Sequence, residues 1–235
     1  HKFVLTYAGE RYVTKATEIL NLKKELDQEM NDIIKNNYGS LKIAFPTMRS
    51  AYMLPCTLPV FNQMYPNVRL DVLEEHSGKL EGMLLNGETD LAFFNLPIKS
   101  PDIDYEVIKH EEVLLVMAAN HPLAHSGLVR DGCKYPWIDL HVLKDEPFIM
   151  QISGQRTRDT VDRLCRKAGF VPNVKLETSN IPAAVQLAGK GYGCFFVTET
   201  HLRHITNLDP VVSFSVGDPC TTVDFVAAFR KNCYL

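Results

Sequence analysis

The fold is decided by residues 41–95, which read LKIAFPTMRSAYMLPCTLPVFNQMYPNVRLDVLEEHSGKLEGMLLNGETDLAFFN. Short apolar runs typical of strands alternate here with longer segments whose apolar residues recur every three or four positions, as in helices. These segments follow one another in the order 41–45, 52–64, 68–73, 79–85 and 90–94. Such alternation predicts parallel strands joined by right-handed crossover connections, and therefore a protein of the α/β class.

The alternation continues beyond residue 95, with two interruptions. We predict further strands over 105–109, 113–118, 147–150, 174–177, 194–197 and 224–229, and helices over 158–168 and 182–188. A Pro-containing turn at 118–124 opens an irregular segment that extends to residue 145, and a short helix interrupts the pattern at 198–207. These interruptions predict two lobes with a cleft, which is where open α/β sheets bind ligands.

The composition excludes several classes of protein. The chain has 235 residues, of which 46% are apolar and 23% charged, so it is neither disordered nor collagen-like nor a coiled coil alone. Its formal net charge of -3 gives no surplus of cations for DNA phosphates, so we expect no DNA binding by this chain itself. It contains no run of about 18 uncharged apolar residues and no signal-peptide pattern, so we expect no membrane contact and a cytoplasmic location.

The six cysteines stand singly, without a C-x-x-C pair, so the sequence contains neither a zinc-ribbon nor a dithiol redox motif. Because no export signal is present, we favour reduced thiols that pack as small apolar core residues, and disulfides remain the alternative. The cysteines are Cys56, Cys133, Cys165, Cys194, Cys220 and Cys233.

A long helix is predicted over residues 8–35, which contain no Pro and a single Gly. Its apolar stripe consists of Tyr12, Ala16, Ile19, Leu22, Leu26 and Ile33. Charged residues are expected elsewhere on the helix surface, among them Lys23, Lys24, Glu25 and Asp27. A C-cap and turn signal at 36–40 ends the helix. Two interpretations stay open, namely a dimerisation helix and a helix that packs on its own domain.

Several segments resemble one protein family, in the family's order along the chain. They are 5–10 (LTYAGE), 39–45 (GSLKIAF), 54–55 with 61–68, 84–93 (LLNGETDLAF), 120–123 (NHPL) and 185–193 (VQLAGKGYG). Together they resemble the LysR-type transcriptional regulators of bacteria, from the end of the winged helix-turn-helix to the second lobe of the effector-binding domain.

The resemblance implies a type 2 periplasmic-binding-protein-like fold, in which a linker helix precedes two Rossmann-like lobes with a cleft. It places the linker at 1–38, lobe I at 39–118 with 205–235, and lobe II at 119–204. The implied function is to sense a small-molecule effector within a transcriptional regulator that assembles as a homodimer or homotetramer. The family's DNA-reading helices are expected before His1, so DNA contact is expected only through that domain.

The first lobe's expected effector contacts lie at turns where strands give way to helices. The first backbone N–H groups of a helix lack internal partners and carry partial positive charge, which favours an anionic ligand. By the family match, Thr47 offers a hydroxyl, Met48 its backbone N–H, and Arg49 a carboxylate clamp or merely a solvent-exposed arginine. Ser77 is expected to face the cleft or to cap the following helix, and Asn95 is a further candidate.

The second lobe's expected contacts follow the strand predicted at 147–150. By the family match, Gln151 and Ser153 are hydrogen-bond partners, and Arg156 is a second candidate for binding a carboxylate. Thr178, before the next helix, is a further candidate. Two arginines at opposed turns indicate an acidic effector.

No catalytic, metal or cofactor site is predicted. The sequence lacks a G-x-S-x-G elbow, a Walker A loop and an H-E-x-x-H helix. The glycines of 189–193 precede a predicted strand rather than follow one, so we interpret them as a helix C-cap and turn rather than a dinucleotide loop. Three groups of potential metal ligands are interpreted as solvated surface residues: Glu74–His76, His110–Glu112, and His201 with His204.

Two other functions stay open at this point. A solute-binding protein for transport would share the fold and the cleft, but it would need an export signal. An enzyme acting on small acids would need a perturbed acid–base group in the cleft, and the sequence identifies none. We therefore expect a regulator without enzymatic activity.

Overall fold

The computed structural model describes residues 4–35, 39–206 and 209–231. Its α-helices are Tyr7–Lys35 (α1), Thr47–Met64 (α2), Ser77–Leu85 (α3), Arg156–Lys167 (α4), Ile181–Gly189 (α5) and Glu199–Arg203 (α6). Its strands are Gly39–Pro46 (β1), Val68–Glu75 (β2), Leu91–Asn95 (β3), Ile103–Ala118 (β4), Pro147–Gln151 (β5), Asn173–Thr178 (β6), Cys194–Thr198 (β7), Val211–Ser215 (β8) and Thr222–Arg230 (β9). A 3₁₀ helix spans Leu140–Leu143. This is the expected α/β class.

The chain divides into two compact units. The first consists of 1–94, 98–106 and 227–235, and the second of 95–97 and 107–226. The chain thus changes unit within β4 and within β9, because both strands are long and continuous. The lobes expected from the sequence change at turns instead, after residues 118 and 204.

The first unit is built on parallel strands. β1 pairs in parallel with β2 along its whole length and with β3 over two residue pairs. The rings of Phe45 in β1 and Phe93 in β3 stack with their centroids 4.2 Å apart. Leu80 and Leu84 of α3 are fully buried, so the apolar face of this helix contributes to the core.

The second unit has a mixed sheet rather than the purely parallel one that the alternation predicts. β5 pairs in parallel with β6 and β7, whereas β4 pairs antiparallel with β7 and β8. Antiparallel neighbours need no crossover helix between them. β8 therefore pairs with β4 without a preceding strand–helix alternation, and the sequence pattern does not predict it. Phe148 of β5 lies at the centre of the core, 5.9 Å from the ring centroids of both Phe170 and Phe196.

β4 is one strand of 16 residues, although the sequence predicts two strands separated at 110–112. The prediction of a break is wrong because Glu111 and Glu112 are buried within the strand, where their charge interrupts the apolar pattern but not the backbone pairing. The Glu112 carboxylate accepts a hydrogen bond from the Ser215 hydroxyl on the neighbouring β8. A buried polar group with a partner is compatible with a sheet interior.

Three helices begin at least two residues earlier than the sequence predicts. α2 begins at Thr47 instead of residue 52, α3 at Ser77 instead of 79, and α4 at Arg156 instead of 158. The first turn of each contains polar residues, so apolar periodicity does not detect it. The candidate contact residues Thr47, Ser77 and Arg156 are therefore the first residues of helices rather than parts of loops.

The helix C-caps predicted at 86–87 and 189–193 are confirmed. After α5, Gly191 has a φ of 75°, and its N–H donates to Ala188 O at 2.9 Å. The next N–H, of Tyr192, donates to Leu187 O at 3.0 Å, which completes a Schellman motif. Gly87 closes α3 in the same way with a φ of 70°. The glycines of 189–193 thus form a helix C-cap and turn.

The long N-terminal helix α1 packs on the first unit through polar side chains. Lys24 pairs with Asp90, and the amide nitrogen of Gln28 donates to Ser40 O at 3.1 Å. Glu25 lies 4.0 Å from the guanidinium of Arg230. Lys24 and Glu25 lie off the apolar stripe as expected, and they are half-buried because this polar side of the helix is the one that faces the unit.

The apolar stripe of α1 lies in solvent. Its exposed members include Tyr12, Ile19, Leu22 and Leu26. The side chain of Ile33, the last stripe residue, and the turn residues 36–38 lie outside the described residues, while Gly39 and Ser40 belong to β1 rather than to the turn. α1 therefore packs on its own unit, and the interpretation of its exposed apolar stripe as a dimerisation surface stays a prediction.

The cysteines do not share one environment. Cys165 and Cys194 are core residues as expected, and burial raises the pKa of each thiol to about 12. Cys56 is exposed and Cys133 and Cys220 are half-buried, so the core interpretation is wrong for these three. None of the five cysteines in the described ranges is in a disulfide, and Cys233 lies outside those ranges.

No helix in the described part of the chain is long and apolar enough to cross a membrane.

Candidate functional site

The first unit brings two helix N-termini to one edge of its sheet. The carboxyl ends of the parallel strands β1 and β2 lie side by side, with Pro46 paired to Glu75. α2 begins directly after the first strand at Thr47, and α3 begins two residues after the second at Ser77. This edge therefore carries unsatisfied backbone N–H groups with partial positive charge, as the sequence predicts.

Arg49 is the most deeply buried of the candidate residues on this edge. It is 2% exposed, and its guanidinium carbon lies 6.0 Å from the ring centroid of Tyr52, one turn further along α2. The alternative of a solvent-exposed arginine is therefore wrong. Thr47 is exposed and Met48 is half-buried, so three adjacent residues differ in how far they face solvent.

Ser50 and Glu74, neither of which is predicted as an effector contact, connect the same two segments. The Ser50 hydroxyl hydrogen-bonds to Thr47 O at 2.7 Å and to the Glu74 carboxylate at the end of β2. These contacts fix the first turn of α2 against β2. Nothing in the spacing of residues 50 and 74 signals the contact, because it depends on the pairing of two strands.

Ser77 is not the N-cap of α3. His76 occupies the N-cap position in an extended conformation without a side-chain capping bond, and Ser77 is the first helical residue, buried at 7% exposure. The predicted alternative role of Ser77 as a cap is therefore wrong. Asn95 ends β3 and is also buried, but it belongs to the second unit.

The second unit repeats this arrangement. β5 and β6 are parallel, and the candidate residues Gln151 and Thr178 are direct partners at their carboxyl ends. Gln151 is buried, whereas Ser153 is exposed in the turn that leads to α4. The Thr178 hydroxyl accepts a hydrogen bond from the backbone N–H of Asn180 at 3.0 Å, so it also stabilises the turn before α5.

Two arginines near the start of α4 have different environments. Arg156 is buried, and its guanidinium donates to the backbone carbonyl of Pro97. Arg158 lies 3.0 Å from Asp162 and 2.7 Å from Glu177. Burial lowers the pKa of Arg158, but hydrogen bonds with these two carboxylates outweigh it, so the pKa is raised. Arg158 is therefore already engaged by two anions.

The carboxyl end of β7 carries polar residues that are not predicted as effector contacts. Glu199 is buried, with its carboxylate 2.8 Å from Lys134 Nζ, and this hydrogen bond raises the pKa of Lys134. His201 is buried with its Nδ1 2.7 Å from the Thr198 hydroxyl, so its interpretation as a surface histidine is wrong. β7 is parallel to β5, so the carboxyl ends of both strands lie at the same edge of the sheet. The polar turn after the buried strand β7 is the sequence signal that could have indicated these residues.

The three groups of potential metal ligands named from the sequence are not arranged around a common metal position. Among the described residues, no three His, Cys, Asp or Glu side chains are placed to hold one metal ion. Glu75 forms a salt bridge with Lys79 at 3.2 Å. The pKa of Glu75 is lowered, and the largest cause is the hydrogen bond that its carboxylate accepts from the backbone N–H of His76. His110 is exposed and lies 2.6 Å from Asp224. The solvated interpretation is wrong for the neighbouring Glu111 and Glu112, which are buried as His201 is.

A groove of about 410 Å³ lies on the second unit. Its lining consists of Leu96, Pro97, Thr160, Arg163, Leu164, Lys167 and Thr221–Asp224. None of the nine predicted contact residues lines this groove, but two of them adjoin it, because Asn95 precedes Leu96 and Arg156 donates to the carbonyl of Pro97.

Comparison with known proteins identifies the family. The family model described as the LysR substrate binding domain matches residues 36–235. The chain is 29% identical over 242 aligned positions to the uncharacterized HTH-type transcriptional regulator YcgK of Bacillus subtilis, covering 98% of this chain and 73% of that protein. It is 25% identical to the transcriptional dual regulator GltC of the same species, covering 86% of this chain and 65% of GltC.

Solved structures share the fold. The C-terminal domain of a probable LysR family regulator from Rhodococcus sp. RHA1 matches with a TM-score of 0.69 and 24% identity, over 84% of this chain and 93% of that domain. The QuiR effector-binding domain with shikimate matches with a TM-score of 0.69 and 23% identity, over 84% and 90% of the two chains. The regulatory domain of Synechocystis PCC6803 CcmR with 2-PG has a TM-score of 0.72 and 22% identity, over the same shares. The chain therefore belongs to the LysR-type family of transcriptional regulators, of which it contains the effector-binding domain.

Proposed function

We propose that this chain binds a small anionic metabolite, and that binding changes the DNA affinity of the regulator. The observation that carries the proposal is Arg49, a cation that is 2% exposed in the first turn of α2. Guanidinium binds carboxylate through two parallel hydrogen bonds, and the N–H groups of the same helix turn add partial positive charge. A buried cation at a helix N-terminus favours an anion more strongly than an exposed one does, because water screens it less.

The remaining contacts are proposed from the same edges. They are Thr47, Met48 and Ser77 in the first unit, and Asn95, Gln151, Ser153, Arg156 and Thr178 in the second. Support comes from the register, because Pro46 pairs with Glu75 and Gln151 pairs with Thr178 at the carboxyl ends of parallel strands. The ligand of the QuiR neighbour, shikimate, carries a carboxylate, which is the chemistry that an arginine would bind.

The effector acts by stabilising one arrangement of the regulator over another, since a ligand with equal affinity for both would change nothing. Within this proposal α1 transmits the change and assembles a homodimer or homotetramer, and its exposed apolar stripe supports that role. DNA contact is made by an N-terminal winged helix-turn-helix domain of the regulator. The regulator acts in the cytoplasm and has no enzymatic activity.

Thermal unfolding against a panel of small acids tests the proposal. The panel contains aromatic acids, dicarboxylates and amino acids. A ligand at 100 times its dissociation constant adds about 2.7 kcal/mol, which raises the midpoint by about 5 to 10 °C for a domain of this size. A shift of that size by one chemical class supports the sensor. Consumption of the same compound, followed by NMR, would instead indicate an enzyme.

Variants locate the site once a ligand is known. Arg49→Ala and Arg156→Ala are expected to abolish the shift while leaving unliganded unfolding cooperative. Arg69→Ala is the matched control, because Arg69 lies on β2 with a side chain that is 78% exposed. Unchanged affinity in both Arg49→Ala and Arg156→Ala would contradict the proposed site.

A further inference from the structure

Two cysteines outside the candidate site face each other across two loops of the second unit. Cys133 Sγ lies 3.2 Å from the carbonyl oxygen of Pro219, the residue that precedes Cys220. Cys220 Sγ in turn lies 3.4 Å from the carbonyl oxygen of Gly132, the residue that precedes Cys133. The two thiols are close enough that Cys133 raises the pKa of Cys220. This reciprocal arrangement brings together two sulfur atoms whose residues are far apart in the sequence.

Other contacts hold the two loops together independently of the thiols. Arg130 pairs with Asp218 at 2.6 Å, and its guanidinium lies 4.7 Å from the ring centroid of Trp137. The indole N–H of Trp137 donates to Gly217 O at 2.7 Å. Because a disulfide needs closely spaced Cα atoms and convergent Cβ atoms, loops already held in contact favour its formation.

The pair differs from the other cysteines in its accessibility. Cys133 and Cys220 are half-buried, so a small oxidant in water can reach them, whereas Cys165 and Cys194 lie in the core. Burial raises the pKa of Cys220, the charges of Glu112 and Cys133 raise it further, and Lys134 lowers it. Cys220 thus stays protonated at neutral pH, which suits a resolving thiol rather than the first to react.

We propose that Cys133 and Cys220 form a reversible intramolecular disulfide when the protein meets a hydroperoxide. The thiolate of Cys133 attacks the peroxide, which gives a sulfenic acid and releases one molecule of water or alcohol. The sulfur of Cys220 then displaces the hydroxyl group as a second molecule of water, and the S–S bond forms. Two electrons pass from the two sulfur atoms to the peroxide. The bond joins the loop at 130–134 to the turn at 217–221, which leads directly into β9.

Thiol counting and mass spectrometry test the pair in the whole chain. The reduced protein has six thiols, and treatment with equimolar hydrogen peroxide is expected to remove two of them. The mass falls by about 2 Da for the two hydrogens lost, peptide mapping joins the two segments, and dithiothreitol restores the starting state. The fluorescence of Trp137, which is the one tryptophan of the chain, is expected to fall on oxidation because the residue contacts both loops.

Matched serine variants keep the test decisive. Cys133→Ser and Cys220→Ser are each expected to abolish the intramolecular bond and the fluorescence change. Cys56→Ser leaves both intact, because this exposed thiol lies on α2. The proposal is overturned if oxidation links Cys133 or Cys220 to a different cysteine, if it converts either to a higher oxide without a bond, or if all thiols persist.

Discussion

Lys24 of α1 and Asp90, in the tight turn before β3, form an ion pair in which the Asp90 side chain is only 3% exposed. The other carboxylate oxygen of Asp90 accepts a hydrogen bond from the backbone N–H of Lys42 in β1, at 2.8 Å. One buried carboxylate therefore connects the long helix to two strands of the first unit. A movement of these strands would reach α1 through this contact.

Replacing Lys24 by Met is expected to destabilise the protein by about 1–3 kcal/mol, because it leaves the buried Asp90 carboxylate without its cation. The partial exposure of Lys24 keeps the loss below that of a fully buried pair. Lys23→Met is the control, because the Lys23–Asp27 pair is exposed on both sides and should change stability by less than about 0.5 kcal/mol. Urea unfolding measures both, and equal effects would contradict the role of Asp90.

Gly87 and Gly191 have similar positive φ angles but different surroundings, so Gly→Ala substitutions at the two sites distinguish the cost of backbone strain from the cost of a steric clash. Gly191→Ala meets no atom within 4 Å, so it should cost only the left-handed conformation, about 1–2 kcal/mol. At Gly87 an added Cβ would lie 1.9 Å from Asn21 Oδ1 of α1, so Gly87→Ala should cost more. Asn21→Ala in the Gly87→Ala background should recover that excess. Thermal unfolding of the three variants measures these losses of stability. If Gly87→Ala destabilises the protein no more than Gly191→Ala does, Asn21 does not lie against Gly87.

The strand ends could be predicted from the sequence because the chemistry there is local. A buried strand followed by a polar turn and a helix places residues such as Thr47 and Gln151 at the carboxyl edge of a parallel sheet, whatever the rest of the chain does. The C-caps at Gly87 and Gly191 are local in the same sense, because the conformation demands glycine.

The polar side chains that become buried could not be predicted, because their burial depends on distant segments. α1 carries a polar stripe at Asn21, Lys24, Glu25 and Gln28 as well as an apolar one, and both have helical spacing. Only the positions of Asp90 and Arg230 decide that the polar stripe faces the unit. The burial of Arg49 and the approach of Cys133 to Cys220 depend likewise on contacts between segments that are far apart in sequence.

The apolar stripe of α1 is expected to form a contact between copies of the chain. Leu22→Glu and Leu26→Glu place charges on exposed apolar positions that do not face the first unit, so they should dissociate an oligomer and leave each protomer folded, with cooperative unfolding. Lys15→Glu is the control, because Lys15 forms only an exposed pair with Glu18. Light scattering at tens of micromolar measures the mass. A monomer before any substitution would contradict the prediction.

The core thiols predict how stability changes in base. The folded state raises the pKa of Cys165 and Cys194 to about 12, whereas an unfolded thiol ionises near its ordinary value of 9. Above that value the unfolded chain releases protons that the folded chain keeps, so the free energy of unfolding falls as the pH rises from 9 towards 12. Each thiol contributes about 1.4 kcal/mol per pH unit in this window and nothing below it.

Cys194→Ala separates this contribution from the other groups that titrate in base. The variant has a small cavity and lower stability at pH 7, but its stability should fall less steeply above pH 9 than that of the parent, by about 1.4 kcal/mol per pH unit. Cys56→Ala should leave the slope unchanged, because the thiol of Cys56 is exposed in the folded state as well. Urea unfolding at several pH values measures the slopes. Parallel curves for the parent and Cys194→Ala would show that the buried thiol ionises as readily in the folded chain as in the unfolded one, against the burial seen here.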